Sequence, residues 1–115
     1  MRNDKDNLIV ELTLKFAIKI VEFCEELESR RKYVVARQLL RSGTSVGANS
    51  YEAQNAESKA DFIHKFKIAS KEADETEYWL KICQYSKNYP DPAIFQRDLL
   101  PIIKIISKII SSSKS

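Results

Sequence analysis

The sequence is poor in the residues that interrupt regular structure. Glycine and proline together make up roughly 12% of an average chain; here there are two glycines and three prolines in 115 residues. β-Architectures use turn residues at every hairpin, so this poverty argues for a few long helices. A single histidine removes most zinc sites and makes His-based catalysis improbable. The two cysteines, Cys24 and Cys83, match no metal or redox spacing and fall among apolar residues at helical spacing. They read as small buried hydrophobes in a reducing, cytoplasmic compartment. An uninterrupted apolar run is also missing: the stretch from Leu8 to Leu27 holds Glu11, Lys15, Lys19, Glu22, Glu25 and Glu26, which a bilayer core would reject. The segment before it mixes Arg2, Asp4, Lys5 and Asp6, and no small-residue cleavage site follows, so it is no signal peptide. The expectation is a cytoplasmic protein that neither crosses a membrane nor is exported.

What is present suits one compact domain over residues 1–115. Apolar residues are 43% and charged residues 30%, ordinary for a globular chain and too hydrophobic for a disordered one. The net charge is +3, and the whole excess sits in residues 58–115. An excess this small permits contact with nucleic acid without demanding it.

Four helices are expected, at about 7–29, 30–56, 59–88 and 92–111. In the first, Glu11, Lys15, Lys19, Glu22 and Glu26 form one polar stripe. Leu8, Leu12, Phe16, Ile20, Phe23 and Leu27 form an apolar face, and Val10, Leu14, Ala17, Val21 and Cys24 form a second beside it. Ser29 is the expected N-cap of helix two. The stretch from Ser42 to Ser50 contains Gly43 and Gly47, costing about 1 kcal/mol each within a helix. Yet Ala36, Gly43, Gly47 and Ser50 would share one face, a flat ridge for a close helix neighbour, and strong helix formers flank it; a continuous helix is favoured. Ser58 with Asp61 resembles a capping box for helix three. Asp91 then caps helix four, with Pro92 as its first residue, Pro101 as an internal kink, and a fraying tail from Ser112. Short connections make an antiparallel, up-down-up-down four-helix bundle the default. Helices one and four, apolar on too much of their circumference, predict a specific homo-oligomer.

No catalytic, metal or cofactor site is expected. Asp61-x-x-His64 occurs once and lacks the second histidine of a ferritin-like centre. Glu72 and Glu75 form either a carboxylate pair or salt bridges to a neighbouring helix. Ser42, Thr44, Ser45 and Ser50 have no nucleophile-elbow context, and His64 has no orienting partner. For nucleic acid, Arg30, Arg37 and Arg41 share a face of helix two, and Lys67 and Lys71 form a second basic row on helix three. They either meet phosphates or form ion pairs with glutamates of helices one and three.

The run Gln38-Leu39-Leu40-Arg41-Ser42-Gly43-Thr44-Ser45-Val46-Gly47-Ala48-Asn49, then Glu52-Ala53, resembles the signature of a bacterial four-helix-bundle family. This is the family of proteins encoded in intervening sequences of 23S ribosomal RNA genes. The likeness continues through Asp61-Phe62, Lys65, Ile68-Ala69, Lys71-Glu72 and Glu75-Thr76-Glu77-Tyr78-Trp79-Leu80. It implies an antiparallel four-helix bundle assembling into a pentameric ring, and it favours helix across the glycines. The family is similar to the accessory proteins of diversity-generating retroelements, which form basic pentameric barrels that bind a reverse transcriptase and nucleic acid. By that resemblance Arg41, and after it Arg37 and Lys71, would meet phosphate, while Gly43, Gly47 and Asn49 allow close helix packing. The expected function is a non-enzymatic, homo-oligomeric accessory protein that binds RNA or a nucleic-acid-processing protein. The alternative is a protein-interaction scaffold whose basic residues are held in internal ion pairs.

Overall fold

A computed structural model describes residues 4–114, with side chains from residue 8 onward. It is all-α: α1 (Asp4–Ser29), α2 (Tyr33–Ala53), α3 (Lys59–Tyr85) and α4 (Ala93–Ser113), with no strand among the described residues. Each helix packs on the next, and α4 closes back onto α1. The resulting rod measures 46 × 19 × 19 Å. Its length is close to that of its longest helix, about 40 Å at 1.5 Å per residue.

The helix ends show what composition could not. Ser29, expected to cap helix two, belongs to the last turn of α1, and its hydroxyl donates to the Glu26 carbonyl (2.6 Å). The turn closes through the Lys32 N–H on the Leu27 carbonyl (2.8 Å) and the Arg31 N–H on the Glu28 carbonyl (2.9 Å). This is a Schellman closure, and Arg31, at φ 63°, occupies the left-handed position usually given to glycine. Because the closure uses Arg30 to Lys32, α2 starts at Tyr33, with Lys32 at its N-cap and no side-chain cap.

At its other end α2 stops at Ala53 rather than Ala56. There the N–H groups of Gln54, Asn55 and Ala56 bond three residues back, a tightened turn that prolongs the helical pattern. Ser58 caps α3 as expected, accepting the Asp61 N–H (3.0 Å), and the Asp61 carboxylate accepts the Glu57 N–H (3.2 Å). α3 ends at Tyr85, three residues short of Asn88, which stands at φ 65°. Helix four begins one residue late. Pro92 is the N-cap and Ala93 the first helical residue, while the Asp91 carboxylate accepts the Ala93 N–H (3.0 Å) in an Asx turn. Pro101 lies inside α4, and the helix ends at Ser113, two residues beyond the expected end at 111.

α2 runs unbroken through Gly43 and Gly47. Both sit where α1 approaches. A Cβ on Gly43 would lie 2.9 Å from Ile20 Cγ2, and one on Gly47 3.2 Å from Thr13 Cβ and 3.3 Å from its carbonyl oxygen. The first distance is closer than Cβ contacts reach and the others are tight enough to push Thr13 back by a few tenths of an ångström, so glycine at both positions suits the close α1–α2 approach. This also fixes which face of α1 turns inward. Ile9, Thr13, Phe16, Ile20, Phe23, Cys24 and Leu27 are buried, whereas Leu8, at the start of the expected apolar face, is exposed and Leu12 only half-buried. Thr13 is tolerated because its hydroxyl donates to the Ile9 carbonyl (2.7 Å).

The core is completed by Val35, Leu39 and Val46 of α2, Phe66 and Leu80 of α3, and Leu99, Ile102 and Ile106 of α4. Phe23 meets Phe95 at 4.6 Å between ring centroids. The apolar surface of helix four is narrower than expected, with Ile94 (47%) and Leu100 (51%) its exposed large apolar residues. Ile102, Ile106 and Ile109 are buried, and Ile103, Ile105 and Ile110 are half-buried against the core. Helix one keeps its excess: Leu14 is 59% and Ile18 54% exposed.

Candidate functional site

The residues proposed for phosphate contact fall into different surroundings. Arg41, on the outward edge of α2, reaches across to α3. Its guanidinium meets Glu72 (3.1 Å) and the Glu75 carboxylate, which also accepts the Trp79 indole N–H (3.0 Å). The Glu75 hydrogen bond, followed by charge from both carboxylates, raises the Arg41 pKa. The Arg41 and Trp79 hydrogen bonds hold Glu75 below the usual carboxylate range. Of the two alternatives for Glu72 and Glu75, the structure shows the salt bridges to a neighbouring helix, with both carboxylates on Arg41 of α2. Directly beneath this cluster the buried Ser42 and Thr76 hydroxyls hydrogen-bond across the same helix pair (3.0 Å), and Thr76 also donates to the Glu72 carbonyl (2.7 Å). Arg41 therefore clamps α2 to α3.

Arg37 is exposed and donates to the Tyr33 carbonyl of its own helix (3.4 Å). Lys71 is exposed on α3 and belongs to no ion pair among the described residues. Arg30, expected on helix two, instead lies in the turn that follows α1 and pairs with Glu26 four residues back (2.8 Å). Asn49, assigned to helix packing, turns its amide back onto the Ser45 carbonyl of α2 (2.9 Å). Cys24 and Cys83 are buried, free thiols. Burial first, then the charge of Cys83 and Glu28, pushes Cys24 up to about 12, and burial pushes Cys83 up to about 11. No helix among the described residues is long and apolar enough to cross a membrane.

A markedly apolar groove lies between α1 and α2. Val10, Thr13, Leu14 and Ala17 of α1 face Thr44, Gly47, Ala48 and Tyr51 of α2 across an open groove of about 310 Å³. The missing side chain of Gly47 gives it depth, and Leu14 and Tyr51, 59% and 61% exposed, form its rims.

Residues 5–112 match the sequence profile of a family described as the 23S rRNA-intervening sequence protein. The chain belongs to this intervening-sequence protein family. A crystal structure of a protein with unknown function, from the S23 ribosomal protein family of Bacteroides thetaiotaomicron, superposes with a TM-score of 0.88 at 42% identity. The match covers 93% of this chain and 98% of that one. No curated protein matches.

For this member of the intervening-sequence family, the signature run around Gly43 and Gly47 maps onto the tight α1–α2 contact and the Arg41 clamp, both internal to one copy. Part of the groove was visible in the sequence as the second apolar face of helix one. Its other wall was not, because Ala48 and Tyr51 make no apolar stripe by themselves.

Proposed function

We propose that this protein is a non-enzymatic accessory factor, an up-down-up-down bundle that self-associates into a ring-like homo-oligomer and binds RNA. The order of contacts supports the topology: Gly43 and Gly47 meet Ile20 and Thr13, Arg41 and Glu52 meet Glu75 and Lys65, and Lys19 and Phe23 meet Asp98 and Phe95. Within each pair of helices, moving forward along one means moving backward along the other. The observation that carries the assembly is the apolar α1–α2 groove. Leaving Leu14, Ile18 and Tyr51 in water is unfavourable by about 25 cal/mol per Å², and a second copy would cover them.

RNA as the ligand is supported by the positive charge gathered in the second half of the chain and by the ribosomal-RNA gene context that the family's description carries. Lys71 and Arg37 are the exposed cations placed to meet phosphate, with Arg41 held between its two glutamates. A cytoplasmic location and a pentameric ring, as in the accessory proteins of diversity-generating retroelements, complete the reading. The Arg41 clamp itself favours the second reading, a protein-binding scaffold with its arginine engaged internally.

Fluorescence anisotropy with structured ribosomal RNA, together with native mass spectrometry, separates the two. Three to four phosphate contacts should weaken binding roughly 40- to 150-fold between 50 and 200 mM salt. An oligomer that shows no RNA binding even at 50 mM salt leaves the scaffold standing and removes the first reading. A monomer at micromolar concentration removes the assembly from both.

A further inference from the structure

The folded charge distribution is more uneven than the sequence suggests. Three carboxylates of the basic second half are taken by cations of the first half: Glu72 and Glu75 by Arg41, and Asp98 by Lys19 (3.3 Å). Lys65 makes the opposite trade, with Glu52 (2.9 Å). Positive charge is thereby left concentrated on the outer surface of α3 and α4. Along α3 the positions 60, 64, 67, 71, 74, 78, 81 and 85 recur at three- and four-residue steps, and every one of them is exposed. This ridge carries Lys67, Lys71 and Lys81, none in an ion pair among the described residues, and a single acid, Asp74.

Two tyrosines stand between and beyond the lysines. Tyr78 is 62% and Tyr85 80% exposed. Tyr78 is braced edge-on by Trp79 (centroids 5.8 Å apart, planes at 73°), and Trp79 is tied through its indole N–H to the Glu75 held by Arg41. The clamp between α2 and α3 therefore orients an aromatic ring on the ridge. At the far end Lys114 of α4 joins His64 and Lys67 around a cleft of about 300 Å³ that also includes Ala60 and Ile63.

We propose that this α3 ridge is a track for single-stranded RNA, with Lys67, Lys71 and Lys81 on phosphates and Tyr78 and Tyr85 stacking on unpaired bases. The assignment rests on the RNA-binding reading above and names its surface and its ligand. Cations in a line favour any polyanion, but exposed rings spaced among them favour one whose bases are unpaired, since a duplex offers no free base face. From Lys67 to Tyr85 the ridge runs about 27 Å, enough for a short single-strand site of about four nucleotides.

The test is anisotropy with a labelled single-stranded RNA 12-mer and an RNA duplex of the same length. The wild type is compared with Lys71→Glu, Lys15→Glu on the exposed side of α1, Tyr78→Ala/Tyr85→Ala and Tyr78→Phe/Tyr85→Phe. Lys71→Glu should weaken single-strand binding at least five-fold and flatten its salt slope, with a clearly smaller effect from Lys15→Glu. The double alanine variant should lose ten-fold or more on the single strand with its salt slope unchanged, and the double phenylalanine variant should keep wild-type affinity. Wild-type binding that is indifferent to the ridge variants, or equal losses on duplex and single strand in the alanine variant, would overturn the track and leave the broader RNA reading intact. No binding by the wild type at 50 mM salt would overturn both.

Discussion

Gly43 and Gly47 show how two missing side chains set the geometry of a helix pair. An alanine at Gly43 would press its Cβ onto Ile20, which is fully buried, so one of the two helices or the Ile20 side chain must shift. Overpacking of this kind costs about 2 kcal/mol, against a helix-propensity gain of about 1 kcal/mol. Gly43→Ala should therefore lose about 1 kcal/mol net and lower the thermal midpoint by about 5 °C; a higher midpoint would show that α1 lies farther away than described. The thiols make a second prediction at this scale. Both titrate above their ordinary value in the folded chain, so the native state holds its thiol protons where the unfolded state has released them. Their contribution is complete below pH 9.0 and is lost as pH rises toward about 11 for Cys83 and about 12 for Cys24. Urea midpoints of the wild type should fall more steeply above pH 9 than those of a Cys24→Ala/Cys83→Ala variant. At pH 8 the native thiols should resist a disulfide reagent until the chain is unfolded.

For whole helices, most of what the structure shows was legible and the junctions were not. The 3.6-residue periodicity announced all four helices, and the small-residue face carried α2 through its glycines, because burial against α1 outweighs their weak propensity. The α1–α2 junction was misread for a definite reason. Serine is a strong N-cap signal, so Ser29 drew the helix start to itself, while an arginine in the left-handed region leaves no mark in the sequence. That junction yields a prediction. Arg31 accepts a backbone conformation that costs a non-glycine residue about 1 kcal/mol or more, and it is exposed. Arg31→Gly should raise stability by about 0.5 kcal/mol after the extra flexibility of the unfolded chain is deducted, read as a higher urea midpoint with an unchanged slope. The Arg41 clamp was legible only as one of two alternatives, since a sequence gives helix faces but not the register in which two faces meet.

At the scale of the molecule, the exposed apolar surface is narrower than expected and better defined. Helix four buries or half-buries Ile102, Ile103, Ile105, Ile106, Ile109 and Ile110 and exposes only Ile94 and Leu100 among its large apolar residues. The α1–α2 groove is the face proposed for the assembly. If a second copy seats there, Leu14→Glu or Tyr51→Glu should shift the native mass toward the monomer. Both side chains are more than half exposed, so helicity and the unfolding midpoint of the single copy should change little. An unaltered mass in both variants would place the assembly surface elsewhere.

The sequence by itself determined the class of fold and the number of helices, and it placed a small-residue face on the second helix. These follow from local periodicity and from near-neighbour chemistry such as the Ser58–Asp61 cap. Only the tertiary structure decided that Ile9 and Thr13 are buried while Leu8 is exposed and Leu12 half-buried, that Arg41 is engaged by Glu72 and Glu75, and that lysines and tyrosines on α3 stand exposed along one ridge. The reason is physical: a hydropathy pattern fixes a helix face to within about one residue, or 100° of rotation. Which side of that margin wins depends on how closely the neighbouring helix can approach, and that is a property of pairs of helices rather than of either one.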